Sequence, residues 1–124
     1  MSKRIEVNLM AQRLRALDSN KLIFEFDCIS GDSAHPTNKG IFHVMWKHKD
    51  HVSKSYGVKM HYALFFTQDG KAIHQYHMPG FDMTRILKQK ASDWFGSHGC
   101  VRLKEPDAKK LFDWAPVRTL VSVT

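Results

Sequence analysis

Residues 60–74 read MHYALFFTQDGKAIH, and this stretch decides the fold class. Its first half is an apolar, aromatic-rich run, its middle is Gln68-Asp69-Gly70, and its second half returns through Ala72 and Ile73. Two such runs joined by Asp-Gly read as a β-hairpin. The theme continues on both sides. IEVNLM, residues 5–10, sets Ile5, Val7 and Leu9 on one face, and residues 12–17 follow in kind. Asp18-Ser19-Asn20 is turn chemistry, and KLIFEFDCI, residues 21–29, alternates again. Residues 30–40, SGDSAHPTNKG, read as a loop, and residues 42–46 as a short strand. KHKDHVSKSYG, residues 47–57, reads as an exposed polar loop. TRILKQKA, residues 84–91, predicts two helical turns. EPDAKKLFDWA, residues 105–115, predicts a helix that starts at Pro106 and buries Ala108, Leu111, Phe112 and Ala115. Residues 119–124, TLVSVT, are a last strand. The sum is a mainly β, single domain over residues 1–124 with one or two short helices.

The chain has 124 residues, enough for a core that needs no staples. It has no run of eighteen apolar residues, so no transmembrane helix is expected. The N-terminal residues carry charges where a secretory leader needs its apolar centre. That fits a cytoplasmic chain, and equally a mature fragment freed of its leader. The formal net charge of +7 suits an anionic partner such as nucleic acid, lipid or an acidic polymer, and also suits a plain solvated surface. No basic block has the interleaved aromatics of a single-strand binder, so nucleic acid is not the expected partner. His48 and His51 lie three apart, but without a carboxylate or cysteine partner they specify no metal.

Chemistry concentrates in GSHGCVRL, residues 96–103, around one of only two cysteines. The stretch admits an active-site turn, a metal knuckle or an inert loop. A thiol near pKa 8.5 is only about 3% thiolate at pH 7, and bringing it to about 7 is worth roughly 2 kcal/mol. A histidine within reach supplies that as base or imidazolium. All eight histidines precede Cys100, which excludes the papain order of cysteine first and histidine later. His98 is two residues away, and His74 and His77 lie on the preceding strand candidate. Gly99 permits a turn that aims successive N–H groups into one space, as an oxyanion hole requires. Arg102 can clamp a carboxylate or brace the loop. Zinc on Cys100, His98, His74 and His77 lacks Cys-x-x-Cys spacing, so no metal and no cofactor are expected. Cys28 sits in an apolar alternating strand and reads as a buried structural thiol, though a single bridge to Cys100 is open.

Ser97-His98-Gly99-Cys100-Val101-Arg102-Leu103 resembles the signature of the L,D-transpeptidase catalytic domain, the YkuD-type family. Ile5-Glu6-Val7 with Gln12-Arg13-Leu14 resembles its opening strands, and HPTNKGIF resembles its Thr-Pro-x-Gly-x-Phe turn, with Asn38 where proline is usual. MHYALFFTQDGKAIH resembles the strand pair that ends in Ile-His. The resemblance implies a β-sandwich-like fold and a cysteine enzyme of cell-wall biogenesis that acts on peptidoglycan stem peptides as a monomer. It implies Cys100 as nucleophile, His74 as base with His77 as substitute, and Gly99 and Cys100 as oxyanion donors. Ser97, His98 and Arg102 would shape the site, and Tyr62 would line the substrate channel. Transfer to an amine gives a 3→3 crosslink; water gives an L,D-carboxypeptidase. A wall-binding domain without turnover is a further reading. Peptidoglycan implies the periplasm or cell wall. Gln75 replaces the family's usual small residue, and the interval from His74 to Cys100 is longer than usual, through residues 81–95.

Overall fold

The computed structural model describes residues 2–31, 36–52, 59–75 and 99–124. Among them, nine strands and one helix form two sheets around a shared core. This is the expected mainly β, sandwich-like arrangement. The first three strands are β1 (Lys3–Asn8), β2 (Arg13–Asp18) and β3 (Lys21–Asp27), an antiparallel meander. Alternation drives it: Ile5, Val7, Leu14 and Ala16 are buried while their neighbours are more exposed. Ser19 and Asn20 take positive φ of 52° and 69° at the β2–β3 turn, as a two-residue hairpin loop requires. Strand β4 (Gly40–His43) and β9 (Leu120–Val123) complete this sheet in the order β3-β2-β1-β9-β4. β9 runs parallel to β1, pairing Ile5 with Val121 and Val7 with Val123. The second sheet has the order β5-β6-β7-β8, from β5 (Trp46–Val52), β6 (Lys59–Phe65), β7 (Ala72–Gln75) and β8 (Val101–Leu103).

Two boundaries differ from the sequence reading. Residues 42–46 are not one strand: β4 ends at His43, and the chain crosses between sheets at Val44 and Met45. Val44 N–H donates to Thr119 O at 2.8 Å in one sheet, and Met45 N–H to Phe65 O at 2.7 Å in the other. The polar stretch after Trp46 is strand, not loop, as far as Val52. It is an edge strand, where charged side chains face solvent without breaking the ladder. Trp46 secures it by stacking on Phe65, centroids 5.0 Å apart. The helix expected at residues 84–91 lies outside the described residues.

The helix α1 (Glu105–Trp114) carries Pro106 in its first turn, one residue after its start, and buries Ala108 and Leu111 against the core shared by both sheets. Its last turn holds no basic residue. Two lysines from the sheets serve its carbonyls instead: Lys3 Nζ donates to Trp114 O at 2.9 Å and Lys47 Nζ to Phe112 O at 2.6 Å. Each ammonium also lies over the aromatic ring of the residue it serves.

Candidate active site

Two parallel strands build the site. β7 and β8 align Ile73 with Val101, His74 with Arg102 and Gln75 with Leu103. Side chains two apart on a strand share a face. Ala72, His74, Cys100 and Arg102 therefore share one face of the sheet. Ile73, Val101 and Leu103 turn the other way into the main core. Cys100 packs with Ala63, Phe65 and Ala72 in a separate small cluster.

The Cys100 thiol is 3% exposed, and Ala72 N–H donates to its Sγ at 3.4 Å. Burial pushes the thiol above its ordinary value. The Ala72 N–H, Arg102 and Lys71 oppose that shift, and Asp69 adds to it. Burial thus favours the neutral thiol over the thiolate. His74 lies on that face. It is buried, and its Nδ1 lies 2.7 Å from Gln75 O. A carbonyl oxygen only accepts, so Nδ1 carries the hydrogen, and Nε2 is the acceptor of the neutral ring.

Gly99 takes φ +92°, a conformation L side chains rarely adopt. Its carbonyl accepts from Thr37 Oγ1 at 2.9 Å, and the same hydroxyl oxygen accepts from Gly31 N–H at 2.9 Å. Arg102 is buried. Its Nη2 donates to Ser30 O at 3.2 Å, and its backbone exchanges hydrogen bonds with Ile29 at 2.8 and 3.0 Å. Gln12 fixes Ser30 in turn, from Nε2 to the hydroxyl at 2.8 Å and from Ser30 N–H to Oε1 at 3.0 Å. Arg102 thereby ties β8 to the segment after β3.

Cys100, His74 and Arg102 share one face of the β7–β8 pair, and Gly99 forms the turn before Cys100. The Tyr62 ring instead packs edge-on against Phe112 of α1, centroids 5.6 Å apart, beside the main core rather than the Cys100 cluster. His77, Ser97 and His98 lie outside the described residues. Cys28 is fully buried and its thiol is pushed up to about 12 by burial and then by Asp27. Both cysteines are free thiols, so no bridge joins them. His48 and His51 both sit on β5. Among the described residues no three His, Cys, Asp or Glu side chains gather as a metal-ligand set.

Sequence reasoning passed over Thr37, Ser30, Lys71 and the Ala72 N–H. Thr37 lies in the HPTNKGIF stretch already singled out, and its hydroxyl was the available signal. The other three meet the site through contacts between segments distant in sequence, which no local pattern displays.

A family model for the L,D-transpeptidase catalytic domain matches residues 2–123. Among solved structures, the chain is similar to an L,D-transpeptidase from Stackebrandtia nassauensis, at 28% identity and TM-score 0.82, covering 100% of this chain and 56% of that one. It is similar to an Enterococcus faecium L,D-transpeptidase at 25% identity and TM-score 0.81, covering 100% and 50%. It is also similar to a fused Zn-dependent amidase/peptidase/peptidoglycan-binding domain-containing protein from Clostridium acetobutylicum ATCC 824, at 29% identity and TM-score 0.78, covering 100% and 52%. The chain spans about half the length of each of these proteins. No curated protein matches the sequence.

Proposed function

The chain belongs to the L,D-transpeptidase catalytic-domain family, and from that premise we propose that it works on peptidoglycan as a cysteine-dependent L,D-transpeptidase. The observation that carries the reading is the buried Cys100 thiol, held by the Ala72 N–H on the sheet face it shares with His74. In this reading His74 Nε2 takes the thiol proton as Sγ attacks the carbonyl carbon of the third stem residue. The carbonyl oxygen becomes an oxyanion beside the Gly99–Cys100 turn, whose N–H groups stabilise it. The C–N bond to the terminal D-Ala then breaks. The imidazolium returns its proton to the leaving amine, and a thioester on Cys100 remains. An acceptor amine attacks that thioester, gives up its proton to His74, and releases the thiol with a new amide bond. Water in place of the amine gives a free carboxylate and an L,D-carboxypeptidase.

Burial suits this order of events. A neutral resting thiol is protected from stray electrophiles, and charge develops only when the substrate carbonyl is present to receive it. The net charge of +7 favours contact with an anionic wall polymer. The site of action implied by the substrate is the periplasm or cell wall, and the chain is read as acting as a monomer. The test is digestion of purified peptidoglycan followed by mass analysis of the muropeptides. New 3→3 dimers that disappear with Cys100→Ala support transpeptidation, and loss of D-Ala without dimers names the hydrolase. Salt-sensitive wall binding with unchanged muropeptides refutes turnover.

A further inference from the structure

Lys71 lies against the turn that carries the thiol. Its stem covers Gly99 so closely that a Cβ there would come within 2.3 Å of Lys71 Cε and 2.8 Å of Cδ. Its ammonium donates to Asp69 Oδ2 at 3.2 Å, and its side chain is only 15% exposed. The backbone of the same residue is also fixed. Lys71 N–H donates to Thr67 Oγ1 at 2.9 Å, and Lys71 O accepts from Phe66 N–H at 3.0 Å. The Thr67 hydroxyl donates to the Asp69 carboxylate. The next N–H along the chain, that of Ala72, is the donor to Cys100 Sγ. One short turn thus delivers both a hydrogen bond to the sulfur and a lysine, tethered to Asp69, whose stem lies against the residue before the cysteine.

The ion pair with Asp69 does not by itself account for this placement. Ordering a long lysine side chain costs conformational entropy that such a pair near the surface does not fully return. The charged and titratable groups near the thiol, among the described residues, are Arg102 on its own strand, His74 on β7, and Lys71 with Asp69 on the turn. Arg102 is fully inside and engaged with Ser30 O. Lys71 is the cation at the edge of the site.

We propose that Lys71 is a positioning residue of the Cys100 site: its tethered ammonium favours the thiolate, and its stem keeps the Gly99 turn closed. The proposal rests on Cys100 being the reactive thiol of the function given above, but not on the identity of donor or acceptor. A cation near a thiol lowers the cost of its anion, and Lys71 opposes the upward push that burial gives this thiol.

The experiment is the pH profile of Cys100 alkylation by iodoacetamide in the full chain, with peptide mapping to separate Cys100 from Cys28. Lys71→Met is expected to raise the midpoint by roughly half a unit to one unit, slowing the reaction about three- to tenfold below it. Lys71→Arg is expected to restore the profile. An unchanged midpoint in folded Lys71→Met overturns the proposal. So does an equal rise in Lys71→Arg, which reduces the effect to packing. If Lys71→Met does not fold, Lys71→Gln gives the same reading. Because alkylation needs no peptidoglycan, a normal profile shift with unchanged muropeptides counts against the enzyme reading and not against Lys71.

Discussion

Gly99→Ala is the substitution whose cost can be worked out most fully. Three contributions compete. The new Cβ would sit 2.3 Å from Lys71 Cε and 2.8 Å from Cδ, but these atoms end a flexible side chain and can swing away. What is lost there is the Lys71–Asp69 pair, worth about 0–1 kcal/mol. The Cβ would also lie 3.2 Å from Pro36 O, which is backbone and must yield by a few tenths of an ångström. The largest contribution is φ +92° itself, a region that costs a non-glycine residue about 1–3 kcal/mol. The sum is a destabilisation of about 1–4 kcal/mol, dominated by backbone strain. Urea unfolding measures it. The double variant Gly99→Ala, Lys71→Ala separates the parts, because it removes the lysine clash and leaves the strain. The expected coupling is below about 1 kcal/mol, so most of the loss persists in the double variant. A loss under about 0.5 kcal/mol in Gly99→Ala, or near-complete rescue by Lys71→Ala, would refute the assignment of strain to this turn.

Thr37→Val keeps the shape but removes the hydroxyl that serves Gly99 O and Gly31 N–H. It should cost about 1–3 kcal/mol in urea unfolding, and an unchanged midpoint would mean the turn is held by other means. Lys3→Met and Lys47→Met each remove a donor from the last turn of α1, about 1 kcal/mol apiece. Calorimetry should show Tm falling by about 4 °C for each and roughly additively, since the two lysines serve different carbonyls. Cys28 gives a pH dependence. Its folded pKa of about 12 lies above the unfolded value, so its contribution is intact below the unfolded pKa and is lost as pH rises toward the folded one. At pH 10 the loss is about 2 kcal/mol, from an unfolded pKa of about 8.5. Urea midpoints should therefore fall more steeply from pH 8 to pH 10 in the native chain than in Cys28→Ala; parallel curves would contradict the burial of that thiol.

The strands that alternate apolar and polar residues were legible because one face of each meets the core. Ile5 and Val7 in β1, and Leu14 and Ala16 in β2, are the plainest cases. The β2–β3 turn and the start of α1 around Pro106 were legible because each depends on local backbone chemistry. β5 was not, since an edge strand carries polar residues like a loop and is identified only by its partner β6. Nor was the crossing at Val44 and Met45, which exists because Thr119 and Phe65 offer carbonyls in different sheets. In the site, the Ser-His-Gly-Cys motif and Ile73-His74 stand out as residue types at short spacing. The Thr37, Ser30 and Ala72 contacts join residues from 28 to 72 positions apart. Distant pairing of that kind leaves no trace in local periodicity.

Acyl transfer through Cys100 is tested most directly by trapping the thioester. The chain is mixed with a stem tetrapeptide ending in D-Ala, quenched in acid, and analysed by intact mass and peptide mapping, with released D-Ala counted in parallel. An acyl adduct is expected on Cys100, matched one-for-one by early D-Ala release, with neither in Cys100→Ala. An adduct on Cys28, or D-Ala release that continues in Cys100→Ala, would contradict it.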